Sequence, residues 1–99
     1  MSSDLKSKYR SFIQASGRKN KKYKFNNGLY QTHFGDSRYQ QFEDSALGLF
    51  SHKDHKDQVR RKSYYRRHSQ VNNKKEAIEK ERDDPDRPSS KLLSHMFLW

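Results

Sequence analysis

The chain has 99 residues, of which 22 are Lys or Arg and 12 are Asp or Glu, giving a formal net charge of +10. Only 29% of residues are apolar and 34% are charged, so one small domain is the upper bound, and its core must lean on 6 Phe, 6 Tyr and one Trp. The lack of cysteine excludes disulfide frameworks, thiol catalysis and Cys-based zinc modules, and no apolar run has the length of a bilayer span or a signal-peptide core.

Charge is blocked along the chain. Residues 1–24 carry eight basic and one acidic residue, and residues 52–75 carry nine and two. Residues 25–51 and 76–99 are each mildly acidic. Concentrated charge of this kind favours binding surfaces over a uniformly solvated shell.

The first predicted element is a helix over Asp4–Ala15, on which Leu5, Tyr9, Phe12 and Ile13 form one apolar stripe. Ser3 is placed to cap it, Asp4 to favour its positive end and Gly17 to stop it. Arg18, Lys19, Lys21 and Lys22 follow as a basic linker. The middle has β grammar. Lys22–Phe25 alternates polar and aromatic residues, Asn26-Asn27-Gly28 predicts a hairpin turn with positive φ at both central positions, and Leu29–Phe34 returns. Gly35-Asp36-Ser37 predicts a second turn, and Arg38–Phe42 a third strand. Tyr23 and Phe25 share one face, as do Tyr30, Thr32 and Phe34 on the partner strand, and a hairpin so exposed needs a covering helix.

Residues 43–51 read as a loop anchored by Leu47, Leu49 and Phe50. Residues 53–70 contain no Gly or Pro and predict a helix on which Lys53, Lys56, Arg60, Tyr64 and Arg67 fall in one sector. Asn73 is placed to cap a mixed-charge helix over Lys74–Arg82. Asp83–Pro88 reads as a linker unable to pack, and Leu92, Leu93, Met96, Phe97, Leu98 and Trp99 as an apolar anchor with Leu92, Met96 and Trp99 along one helical edge. The expected organisation is an N-terminal helix (1–17), a sheet-plus-basic-helix core (18–70), a charged linker (71–91) and a hydrophobic anchor (92–99). The expected fold class is α+β: a small antiparallel hairpin or three-stranded sheet packed by one basic helix, with an N-terminal helix and an extended or helical C-terminal tail.

The chemistry points away from an enzyme. The chain has no Gly-rich phosphate loop, dinucleotide fingerprint or zincin helix. His52, Asp54, His55 and Asp57 have metal-ligand character, but neighbouring lysines and the Arg cluster surround them with positive field, and a polar helix start with Asp at its N-terminal end is the simpler reading. His, Arg and Tyr within Arg60–His68 are residue types of tyrosine recombination, yet they share one helix instead of converging from separate elements. No catalytic residue, metal or cofactor is expected, and no small-molecule substrate. The cations Lys53, Lys56, Arg60, Arg67, Arg18, Lys19 and Lys21, with Tyr64 interleaved, fit either nucleic-acid phosphates or acidic protein surfaces. The terminal residues Leu92, Met96, Phe97 and Trp99 fit docking either on the chain's own sheet or on a neighbouring subunit.

His33–Ser37, Ser51–Asp57, Arg60–His68 and Phe97-Leu98-Trp99 occur in that order. Over about residues 20–99 this set resembles a family of small basic proteins of nucleocytoplasmic large DNA viruses, of the phycodnavirus and mimivirus kind. The resemblance implies a virion setting, reached from the cytoplasm or nucleus of the infected cell. There it implies a minor capsid-type component that binds capsid or other virion proteins or, alternatively, a sequence-independent DNA-binding packaging protein using helix 53–70.

Overall fold

A computed structural model describes the backbone of residues 2–99 and the side chains from Leu5 onward. The caps assigned to Ser3 and Asp4 lie outside the described side chains. Helix α1 (Ser2–Arg10) leads into strands β1 (Ile13–Ala15), β2 (Lys21–Asn26) and β3 (Gln31–Asp36), followed after a long loop by helices α2 (Gln58–Ser69), α3 (Lys74–Glu81) and α4 (Ser90–Phe97). The class is α+β, with a three-stranded antiparallel sheet in the order β1-β2-β3.

The sheet's third strand comes from an unexpected place. Residues 13–15, expected as helix, form the edge strand β1, with Ile13 opposite Phe25 and Ala15 opposite Tyr23. The helical stripe ends early: Tyr9 and Ile13 are both buried, but from two elements, and spacing alone does not distinguish that from one helix. Gly17 (φ +71°) turns the chain between β1 and β2 and does not end a helix. Residues 38–42 form no strand in the sheet; Gln41 makes only an isolated bridge to Asp54.

The β2–β3 hairpin forms in the expected region, with Tyr23 opposite Phe34 and Phe25 opposite Thr32. Its loop is longer than predicted. Asn26 pairs with Gln31, so Leu29 and Tyr30 lie in the loop, where Leu29 is exposed. Gly28 takes positive φ (+92°) and Asn27 does not; instead the Asn27 side chain accepts from the amides of Leu29 (3.0 Å) and Tyr30 (2.9 Å). An Asx turn replaces the tight Asn-Gly turn.

Cover for the sheet comes from α4, correcting the expectation that the basic helix supplies it. Ser89 caps α4, accepting from the Leu92 amide at 3.0 Å, and Leu92, Leu93, Met96, Phe97 and Leu98 are buried with Tyr9, Ile13, Tyr23, Phe25 and Phe34. Each large side chain so buried contributes on the order of 2 kcal/mol. Phe34 faces Phe97 (ring centroids 6.2 Å apart), while Tyr9 and Phe12 meet Phe25 edge-on at 5.3 and 5.7 Å. Helix α3 packs on α4 and α2 on α3, so the cationic helix is the outer layer. Trp99 lies beyond the end of α4, off the predicted helical edge.

The linker expected not to pack and the segment between the sheet and α2 are both held. The Asp83–Pro88 linker lies along the hairpin: the Tyr9 hydroxyl donates to the Pro85 carbonyl (2.6 Å), Asn27 Nδ2 to Asp86 O (2.8 Å) and Thr32 Oγ1 to Pro88 O (3.1 Å). The loop, expected over 43–51, extends over 37–57; of its expected anchors Phe50 packs on the core while Leu47 and Leu49 are exposed, and buried polar groups supply the rest of its order. Fully buried Gln41 accepts from Lys22 Nζ and donates to Asp54, both at 2.5 Å. Asp44 accepts from the Tyr23 hydroxyl (2.5 Å) and from the amides of Ala46 and Phe50. Among the described residues no helix is long and apolar enough to cross a membrane.

Candidate partner interface

The segments singled out in the sequence meet around Trp99. Its ring stacks on Tyr64 with centroids 4.2 Å apart and planes inclined by 4°, and His55 packs against it at 5.2 Å. Arg61 Nε donates to the Trp99 carbonyl (2.7 Å), while its guanidinium lies over Phe42 at 4.4 Å. The amides of Glu43 and Ser45 donate to Leu98 and Phe97 carbonyls (3.1 and 2.8 Å), fixing the approach to Trp99. Trp99 thereby joins the main core to a smaller one of Tyr64, Tyr65 and Ala77.

Beside this stack an open groove of about 670 Å³ runs between the Lys21–Lys22 and Gly35–Asp36 end of the sheet and the α2 and α4 helices. Lys21, Arg67 and Lys91 supply its charge, His68 lines its wall, and Leu98, Trp99 and Tyr64 form its apolar floor. Gly35 lets the backbone approach this floor: a Cβ there would lie 2.8 Å from Leu98 Cδ1, and its φ is +76°. The groove's one carboxylate, Asp36, is engaged by Arg38 at 2.7 Å, and that hydrogen-bonded guanidinium holds its pKa down to about 2. Burial lowers the His68 pKa, with further lowering by Arg67 and Lys91. Burial also brings the Lys22 amine down to about 8, with Lys53 adding to the effect. Local charge is therefore positive and weakly compensated, and the groove offers cations, hydroxyls and aromatic faces to an anionic partner.

Of the residues assigned from sequence, Lys21, Tyr64, Arg67 and Trp99 come together here. Tyr64 is buried by its stack and presents no free face for a base. Lys53 sits in a 3₁₀ turn (Ser51–Lys53), and Lys56, with φ +54°, precedes α2, so the expected single cationic sector does not form. The break has a local cause: Asp57 caps α2, accepting from the amides of Val59 (2.9 Å) and Arg60 (3.2 Å). Arg60 donates to Gln40 Oε1 at 2.8 Å on the groove's rim. Arg18 and Lys19 are exposed in the β1–β2 turn, outside the groove. Leu92, Met96 and Phe97 are buried in the chain's own core.

The His-Lys-Asp segment is occupied by structural bonds. Besides the Asp57 cap, His55 Nδ1 accepts from the Asp57 amide (2.9 Å), and Asp54 Oδ1 accepts from Gln41 and the Asp44 amide. Among the described residues no group of three or more His, Asp or Glu side chains is placed to hold a metal ion.

Sequence reasoning missed Lys91 and His95. His95 is fully buried in α4, with Nδ1 3.0 Å from the Tyr64 hydroxyl and Nε2 2.8 Å from Ser69 Oγ. An Nε2–H tautomer satisfies both bonds, with Tyr64 donating to Nδ1 and Ser69 accepting. Ser69 is buried as well, so this pair ties α2 to α4 out of reach of solvent. The only sequence signal was a histidine inside an apolar run. In comparisons with protein-family models, curated proteins and solved structures, the chain matches none.

Proposed function

We propose that the chain is a non-enzymatic interaction protein of a large DNA virus particle, a minor capsid-type component that binds acidic segments of neighbouring virion proteins through the groove beside Trp99. The observation carrying this reading is the groove itself, where Lys21, Arg67, His68 and Lys91 surround an aromatic floor. A partner carboxylate reaches a cation while its apolar neighbours cover the exposed Tyr39 and the half-buried Trp99, the mixture of charge and aromatic area typical of interface anchors. Electrostatics of this sort contributes orientation and association rate as much as affinity.

Genome packaging is the second reading, and the exposed Lys62, Arg66 and Arg67 of α2 favour it. Against it, Lys53 and Lys56 lie off the helix and Tyr64 is stacked internally, which shortens the row of cations that would track a phosphate backbone. Proteomics of purified, nuclease-treated particles with and without DNA separates the two. The protein stays with DNA-free shells under the capsid reading, and loss of the protein together with the genome would overturn it.

A further inference from the structure

A second basic site lies in a region distinct from the sheet-side groove, where α1, α2 and α3 converge. One cleft is lined by Lys6, Lys74, Lys75 and Arg82, and a second by Arg61, Lys62, Lys74 and Lys75. A smaller hollow of about 230 Å³ holds Lys6, Arg61 and Lys74 above Glu43 and Ser45. Lys74 lines all three, and Lys6 and Arg61 line two each.

From these shared linings we infer that the convergence of Lys6, Arg61 and Lys74 is a binding site for a compact anion carrying several phosphates. Three helices, distant in sequence, bring their cations to one point. The ion pairs among the described residues are Arg38–Asp36 and Lys91–Glu81, so none of the three meets an Asp or Glu side chain within 4.0 Å, although Glu43 and Glu79 line the same hollows. Two of them are also held in place. Lys6 Nζ lies over the Phe97 ring at 5.7 Å, and Arg61 is fixed by Phe42 and the Trp99 carbonyl. Such placement costs repulsion and desolvation that swinging into solvent would relieve. Burial, then Lys6 and Arg61, bring the Lys74 amine down to about 8, outweighing the opposing pull of Glu43, as expected where cations outnumber the carboxylates facing them.

The arrangement also selects the class of anion. Cations grouped around Lys74 suit charge concentrated in a small volume, whereas a nucleic-acid strand spreads its phosphates along a line and a peptide carries at most one carboxylate per side chain. Trp99 borders both the sheet-side groove and the small hollow, but this inference does not rest on that groove, whose cations Lys21, Arg67 and Lys91 line none of these clefts.

Inorganic tripolyphosphate is the probe, titrated into the full chain at about 150 mM salt by calorimetry, with amide chemical shifts recorded in parallel. Saturable binding is expected, with shifts clustered at Lys6, Arg61 and Lys74, and at least tenfold weaker binding of orthophosphate at equal total phosphate. Lys74→Gln should weaken tripolyphosphate binding at least tenfold while raising the melting temperature in phosphate-free buffer. Lys6→Gln provides the same affinity test if the first variant folds poorly, and Arg67→Gln in the other groove should leave affinity within twofold. Equal affinity in wild type and both lysine variants, shifts centred on Lys21, Arg67 and Lys91, orthophosphate binding as tight as tripolyphosphate, or no saturable binding would each overturn the assignment.

Discussion

Tyr64 and Trp99 lie face to face, 4.2 Å between centroids, and this stack, with the Arg61 bond to the Trp99 carbonyl, joins α2 to the residues beyond α4. Both cores include Trp99, so disrupting it loosens the whole and not one corner. Trp99→Ala is expected to cost about 3 kcal/mol and lower the melting temperature by more than about 10 °C. A double-mutant cycle with Tyr64→Ala should give a coupling of about 1 kcal/mol. Because the chain has one tryptophan, fluorescence reads the stack directly, and Tyr64→Ala should shift native emission to longer wavelength.

His95 makes stability depend on pH. Burial brings its pKa down to about 4, with His68, Lys91 and Lys74 adding to the effect, and Tyr64, Tyr65 and Ser69 face it directly. The unfolded chain binds this proton near the ordinary value of about 6.5 and the folded chain does not. Stability is therefore complete above that pH and falls as pH drops from about 6.5 toward 4, with about 2 kcal/mol lost by pH 5. Urea denaturation across this range checks the slope. His95→Gln should flatten it by up to one proton, leaving the smaller contributions of His33, His55 and His68, whose pKa values are also lowered by burial.

Gly35 and Gly28 both adopt positive φ, but only Gly35 is crowded. A Cβ at Gly35 would meet Leu98 Cδ1 at 2.8 Å and Lys22 Cβ at 3.2 Å, whereas one at Gly28 meets nothing within 4 Å. Gly28→Ala should thus cost only backbone strain, roughly 1 kcal/mol. Gly35→Ala adds overpacking at the groove floor and should cost roughly 2–4 kcal/mol by chemical denaturation.

What was legible in the sequence was local. Alternation marked β2 and β3, Asn73 marked the start of α3 through its bond from the Glu76 amide (2.9 Å), and the apolar ending marked α4. What failed depended on distant partners. Ile13 fits a helical stripe by spacing, and only pairing with Phe25 makes it a strand. The apolar cues of loop 37–57 misled at Leu47 and Leu49, which are exposed, because much of its order comes from buried hydrogen bonds of Lys22, Gln41 and Asp44. The groove was half legible: Lys21, Arg67 and Trp99 stood out by type, while Lys91 enters only because α4 folds back onto the sheet.

Zero-length carbodiimide cross-linking of intact particles, followed by mass spectrometry, tests the groove reading most directly, because it joins lysine amines only to carboxylates in direct contact. Lys21 and Lys91 are both exposed and line the groove. The account predicts links from these two lysines to Asp or Glu of other virion proteins, lost when Arg67→Glu and Lys91→Glu are introduced together and the protein no longer enters particles. Photo-cross-links from the same residues to DNA, with no protein links and with incorporation dependent on the genome, would contradict it.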